Sequence, residues 1–258
     1  MSLEDHYLAT AIDAARRGGA VLQEWTKKFT VKEKSRANLV TEADVQSQEV
    51  IYGCIREQFP EHGFLGEEGL DIAGGSPEFR WIIDPLDGTT NYVHGFPFYA
   101  VSIGLEHAGE LIVGVILDPT RDEIFTAVRG RGAFLNGQPI QPSDNNGLAE
   151  AFCVASLPVG ARGDEKQISQ FMRILPQART VQRTGSAALN LSYVACGRID
   201  AYWSGTLKPW DQAGGALIVT EAGGKVSKMD GSRFDVHQPD LLATNGRQVH
   251  VELCRELT

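Results

Sequence analysis

Two aspartates three residues apart stand where an apolar run stops, in Trp81-Ile82-Ile83-Asp84-Pro85-Leu86-Asp87-Gly88-Thr89-Thr90-Asn91. Two carboxylates held this close repel unless a cation lies between them. Carboxylates with a backbone carbonyl and water suit magnesium or a similar hard cation. Pro85 fixes its own φ and biases Asp84 towards an extended conformation, which stiffens the loop carrying the pair. Gly88 and Thr89 then offer backbone N–H groups to an anion beside such a metal. The alternative is a polar turn in which Asp84 and Asp87 bond only backbone donors.

Further acidic stretches bear on the choice. In Gly66-Glu67-Glu68-Gly69, adjacent carboxylates of an extended chain point different ways, so one can reach a metal while the other bonds its surroundings. A solvated acidic turn is the simpler view. In Lys208-Pro209-Trp210-Asp211 the proline fits the first turn of a helix, and Asp211 projects from an N-terminus that favours an anion, which could be its whole role. Asp44 follows Thr41 at the spacing of a capping box, so it can be a reciprocal cap and nothing more. Thr184-Gly185-Ser186-Ala187-Ala188 opens a small-residue helix whose free N–H groups suit an anionic or polyhydroxyl ligand, unless Ser186 simply caps it.

These residues need elements to hold them. Residues 3 to about 28 have the periodicity of an amphipathic helix with Leu8, Ile12, Ala15, Gly19, Leu22 and Trp25 near one face. After a polar connection from Lys27 through Asn38, a helix capped by Thr41 carries Val45, Ile51, Ile55 and Phe59, and Pro60 stops it. Trp81 to Ile83 form a short buried strand, and residues 70–79 a surface loop. Tyr99 to Glu106, Leu111 to Leu117 and Ile124 to Val128 predict an antiparallel meander, with Asn136-Gly137 as a hairpin turn. A composition change over Pro142 to Gly147 divides the chain into halves, 1–142 and 143–258. The second half alternates strands near Phe152 to Ser156, Thr180 to Arg183 and Leu241 to Thr244 with helices near Glu165 to Leu175, through Ala195, from Pro209 to Glu221 and from Arg247.

A hydrophobic content of 42% over 258 residues allows a sizeable core, and the net charge of −9 argues against a nucleic-acid or anionic membrane surface. It leaves a phosphorylated small molecule open, because a bound metal reverses the local field. Cys54, Cys153, Cys196 and Cys254 are scattered without a C-x-x-C pair, as expected of reduced thiols in a cytoplasmic protein. Neither a signal-peptide pattern nor an apolar run of ~20 residues is present, so a soluble protein is expected. No G-x-S-x-G elbow or Walker-type loop supplies a covalent nucleophile or a phosphate cradle.

The combination Gly66-Glu67-Glu68, Asp84-Pro85-Leu86-Asp87-Gly88-Thr89-Thr90-Asn91 and Trp210-Asp211-Gln212-Ala213-Gly214-Gly215 resembles the inositol monophosphatase family of magnesium-dependent, lithium-sensitive phosphomonoesterases. Val40-Thr41-Glu42-Ala43-Asp44 and Thr220-Glu221-Ala222-Gly223-Gly224 extend the resemblance through nearly the whole chain. It implies an α/β fold, a layered αβαβα sandwich assembled as a homodimer, with the site between the halves. It further implies that Glu67, Asp84, the Leu86 carbonyl, Asp87 and Asp211 gather two or three magnesium ions. Thr89 and Asp44, with Glu67, would orient and activate the attacking water. Asp87, Gly88, Thr89, Gly185, Ser186, Ala187, Ser204 and Asp211 would then meet the substrate, expected to be inositol 1-phosphate. Ser204 stands where family members acting on inositol place a glutamate. That departure leaves histidinol phosphate, fructose 1,6-bisphosphate and adenosine 3′,5′-bisphosphate as alternatives, and Lys208 is placed to meet a second negative charge. A non-catalytic, metal-dependent binding or regulatory partner is the alternative from another class.

Overall fold

The computed structural model describes every residue except 1, 27, 29, 36, 37, 76, 77 and 159–164, and no side chains over 31–40. Parts of the polar connection expected from Lys27 to Asn38 and of the loop expected over 70–79 lie outside that description, and Val31–Ser35 within the first is a strand rather than a plain connection.

Helix α1 (Leu3–Trp25) starts at a capping box between Ser2 and Asp5 and ends at Trp25 rather than near residue 28. Its buried face keeps Ala15, Gly19 and Leu22 of the expected one but is rolled part of the way round. Tyr7, Ala11, Ala14, Ala15, Gly18 and Leu22 are buried, whereas Leu8, Ile12 and Trp25 lie half-exposed beside them. Small side chains bring the helix close to its neighbours, and the dispersion gained over the whole contact outweighs burying a few larger groups. A hairpin of β1 (Val31–Ser35) and β2 (Asn38–Thr41) leads into α2 (Glu42–Gln58), which Thr41 caps and which ends at Phe59, before Pro60. The buried face of α2 runs Asp44, Ser47, Gln48, Ile51 and Ile55 at helical spacing, and Val45, expected on it, is 39% exposed.

Next come β3 (Gly63–Gly66), β4 (Asp71–Ile72), β5 (Phe79–Asp87), the short helix α3 (Thr89–Val93), β6 (Ala100–His107), β7 (Glu110–Asp118), β8 (Glu123–Val128), β9 (Ala133–Leu135) and β10 (Gln138–Pro139). They form one sheet in the order β10-β9-β8-β7-β6-β5-β3-β4, in which only β3 and β5 pair in parallel. The meander over β6–β8 is the one the alternating runs predict, and Asn136-Gly137 turns the β9–β10 hairpin with both φ angles positive. Asp71–Ile72, expected in a loop, is an exposed edge strand paired through its backbone with Phe64 and Leu65.

The rest of the chain forms β11 (Phe152–Ala155), α4 (Lys166–Ile174), β12 (Thr180–Gln182), α5 (Ala187–Ala195), β13 (Ala201–Ser204), α6 (Pro209–Glu221), β14 (Lys225–Ser227), β15 (Leu241–Thr244) and α7 (Gln248–Leu257). Its sheet has the order β12-β11-β13-β15-β14, with β11 parallel to both neighbours. Strand alternation sorts everything into layers. On β5, Trp81 and Ile83 share a core with α1 and α2, while Ile82 faces α5 and α6. On β13, Tyr202 joins that middle core, and Ala201 and Trp203 share a third core with α4 and α7. The architecture is an αβαβα sandwich, as the resemblance implies. All four cysteines are unpaired, and no described helix is long and apolar enough to cross a membrane.

Candidate active site

Strand β5 does not stop at Ile83. It runs on to Asp87, with Asp84 opposite Ser102 and Asp87 opposite Ala100, so one side has an extra residue. Pro85 has no N–H to donate, and the bulge absorbs it. The Leu86 N–H is turned onto Asp84 Oδ1 at 3.0 Å. Ser47 of α2 holds the Pro85 carbonyl from below at 3.2 Å. Both aspartates are therefore fixed on sheet backbone, and both are buried.

Gly88 adopts φ 100° at the start of α3, and a Cβ there would lie 3.1 Å from the Phe98 carbonyl and 3.3 Å from the Gly185 carbonyl. Only glycine fits this approach, which brings the Gly88 and Gly185 turns together. Asn91 ties them by donating to the carbonyls of Phe98 (2.7 Å) and Thr184 (2.9 Å). Ser186 caps α5 as expected, but its hydroxyl also donates to Asp87 Oδ2 at 2.5 Å, and the Ala188 N–H donates to the same oxygen at 2.7 Å. Asp87 is itself the anion seated at the N-terminus of α5.

From the other side α6 delivers Asp211, whose Oδ2 accepts the Lys208 N–H at 2.6 Å. Carboxylate oxygens of Asp84, Asp87 and Asp211 all lie within 4.8 Å of one another. Glu67 follows β3, whose last residue pairs with Ile83, and its charge acts on both Asp84 and Asp211. Gln48 of α2 braces this corner, accepting the Glu68 N–H at 3.0 Å and donating to the Glu68 carbonyl at 3.2 Å.

Asp44 caps α2 and also reaches Thr89. Its Oδ2 accepts the Thr41 N–H and hydroxyl at 2.8 and 2.6 Å, and its Oδ1 lies 3.2 Å from Thr89 Oγ1. Thr89 Oγ1 is equally close to the Leu86 carbonyl, at 3.2 Å. Ala187 is buried beside Asp87. Ser204 is fully buried, its oxygen turned to the Thr206 N–H at 3.3 Å, and Lys208 is exposed at the head of α6.

Burial, followed by the charges of Glu67, Asp87 and Asp211, pushes the Asp84 carboxyl far above the usual range. Burial and then Asp87 do the same to Asp211. Burial raises Asp87 to about 6 against the pull of its Ser186 and Ala188 bonds, and burial raises Asp44 against its bonds to Thr41. Among the described residues no lysine, arginine or histidine forms an ion pair with the three clustered aspartates. A hard divalent cation is the partner this all-oxygen donor set fits.

A pH dependence follows. Moving Asp87 from 3.8 to about 6 costs the ionised, metal-free fold on the order of 3 kcal/mol. An acid whose folded pKa is raised stabilises the fold at low pH and loses that contribution as pH rises through about 6. Magnesium binding restores it, so the rise in Tm on adding magnesium should be larger at pH 7.5 than at pH 5. Thermal melts with and without EDTA check this, and an equal rise at both pH values contradicts it.

Ser47, Gln48 and Asn91 had no assigned part in the sequence reading, yet they brace the acidic segments and the glycine turns. Ser47 and Gln48 carry a findable signal, since they stand three and four residues after Asp44 and in phase with Ile51 and Ile55.

The inositol monophosphatase family model matches residues 3–258. "Inositol monophosphatase 2" from Solanum lycopersicum is 41% identical over 251 residues, covering 93% of this chain and 94% of the relative. The inositol monophosphatase structure from Anabaena (Nostoc) sp. superimposes with a TM-score of 0.88 at 38% identity, covering 98% of this chain and 95% of that one. The extragenic suppressor protein suhB from Bartonella henselae superimposes with a TM-score of 0.93 at 35% identity, covering 98% of each chain. With the acidic cluster at the seam of this sandwich, these likenesses lead to one assignment: the chain belongs to the inositol monophosphatase family of phosphomonoester hydrolases.

Proposed function

We propose that the chain is a magnesium-dependent phosphomonoesterase for a small alcohol or sugar phosphate, with inositol 1-phosphate as leading substrate. Histidinol phosphate, fructose 1,6-bisphosphate and adenosine 3′,5′-bisphosphate are the alternatives. The observation that supports this most is the convergence of Asp84, Asp87 and Asp211 within 4.8 Å of one another. Two or three magnesium ions would be held by these aspartates with Glu67 and the Leu86 carbonyl. Magnesium supplies Lewis acidity when bound, lowering the pKa of water and stabilising charge on the leaving alkoxide.

The chain's own groups do the positioning. Thr89 Oγ1 lies 3.2 Å from both Asp44 Oδ1 and the Leu86 carbonyl, and its lone pairs can accept a hydrogen bond from the water attacking phosphorus, taking that water's proton as the hydroxyl's own passes to the Asp44 carboxylate. Asp44, fixed by Thr41, sets where that hydroxyl stands. Gly88 and Thr89 at the start of α3 offer N–H groups to the phosphate oxygens. Family membership extends the reading to a homodimer, inhibition by lithium and a cytoplasmic location.

Phosphate release from the four esters, each with magnesium and with EDTA, tests this reading. Magnesium-dependent release is expected, with a kcat/KM preference for one ester. A relative from Pseudomonas aeruginosa that is 39% identical over 246 residues is named "Nus factor SuhB" rather than a phosphatase, which favours as a second reading a non-catalytic, metal-dependent regulatory binding partner. Absence of release from all four esters would bring that reading forward.

A further inference from the structure

We propose that Asn91 is a positioning residue for the reaction: its side-chain amide sets the distance between the phosphate end and the alcohol end of the substrate. This rests on the phosphatase reading above, with phosphate on the N–H groups of Gly88 and Thr89 and the alcohol along Gly185 to Ala187. The two ends belong to different halves of the chain, one to the turn after β5 and the other to the start of α5. No single element fixes their separation, so a contact across the seam has to do it.

Among the described residues, two side chains of the first half bond the segment that opens α5, those of Asp87 and Asn91. Asp87 takes the Ser186 hydroxyl and the Ala188 N–H on one oxygen. It is also one of the three clustered aspartates, so its carboxylate is shared with the cation that the cluster fits. Asn91 makes the attachment that leaves the cluster alone. Its Nδ2 donates to the Phe98 carbonyl at 2.7 Å and to the Thr184 carbonyl at 2.9 Å. Both partners only accept, so the N–H2 side of the amide is the side that fits, and both of its protons are used. There is little slack in this joint. A Cβ on Gly185, whose φ is 94°, would stand 2.8 Å from Asn91 Nδ2, and one on Gly88 would stand 3.3 Å from the Gly185 carbonyl. Without the amide the two carbonyls lose their donor and the two ends can part. A misplacement of about 1 Å can cost on the order of a hundredfold in rate when a substrate must engage both ends. An ester held by its phosphate alone does not register it.

The test measures kcat/KM of Asn91→Leu, which keeps the volume and removes the donor, on two esters. One is the preferred ester of the four above, and the other is p-nitrophenyl phosphate, which offers the alcohol side no hydroxyl. Both are measured on the same sample, so their ratio does not depend on how much of the protein is folded. The variant should lose about tenfold to a hundredfold on the first ester and no more than about threefold on the second. Inhibition by inorganic phosphate, which reports the phosphate end, and the rise in Tm on adding magnesium, which reports the metal centre, should match the unaltered chain. Equal losses on both esters, or no loss on either, overturn the proposal and leave the phosphatase reading standing. A smaller magnesium-induced rise in Tm also overturns it, because the amide would then act through the metal centre. If Asn91→Leu does not fold, Asn91→Ala takes its place, and failure of both to fold overturns the proposal by making the amide a requirement of the fold. Absence of magnesium-dependent release from every ester by the unaltered chain overturns both readings.

Discussion

Asp84→Asn is expected to lower kcat/KM for phosphate release by about three orders of magnitude or more, while the protein stays folded. A thousandfold is about 4 kcal/mol, the scale of removing one partner from a buried charge pair. Asp84 is 1% exposed, and its oxygens are within 4.8 Å of those of Asp87 and Asp211, so no side chain nearby can replace the lost charge. Asparagine keeps the shape and an oxygen for the Leu86 N–H. In EDTA at pH 7.5 the variant should be as stable as the unaltered chain or more so, because one of three mutually repelling carboxylates, and a buried one, is gone. Lost turnover with an undiminished metal-free Tm is therefore the signature. Retained turnover, or turnover lost through unfolding, would set the metal-centre reading aside.

Gly114→Val is expected to cost about 3 kcal/mol or more of stability and to weaken magnesium binding together with it. A Cβ at Gly114 of β7 would stand 2.5 Å from the Gly214 carbonyl oxygen of α6, and one at Gly104 of β6 would stand 2.8 Å from Ala213 Cβ. Sheet and helix backbones touch here, and neither can turn a flexible side chain aside. Asp211 lies one turn before Gly214, so moving α6 outwards takes a carboxylate away from Asp84 and Asp87. Thermal melting should show a fall in Tm of roughly 6–12 °C for a chain of this size. The magnesium concentration for half-maximal activity should rise in the same variant. A near-normal Tm would mean that the helix does not depend on this contact.

Patterns confined to a few residues were legible in the sequence. The Thr41–Asp44 box, the meander over β6–β8 and the Asn136-Gly137 turn each follow from local rules and appear as read. The roll of α1 was hidden because its buried face is made of alanines and glycines, which carry little hydrophobic signal. Gln48 and Ser47 were passed over for the opposite reason: their phase with Ile51 and Ile55 was readable, but they are polar side chains on a buried face whose value lies in bonds to Glu68 and Pro85. Ser186 reads locally as a cap, and nothing near it in sequence reveals a carboxylate 99 residues away. The extension of β5 through Pro85 went against the turn chemistry of that stretch, and a bulge reconciled the two. The acidic motifs were visible one by one, whereas their meeting within 4.8 Å depends on packing α6 across the sheet.

The metal centre is tested most directly by stripping the protein with EDTA and following phosphate release from its best ester as magnesium is titrated back. The expected result is negligible turnover before addition and saturable recovery afterwards, absent in Asp84→Asn. Full turnover by the stripped protein, or recovery that Asp84→Asn shares, would contradict a reaction built on Asp84, Asp87 and Asp211.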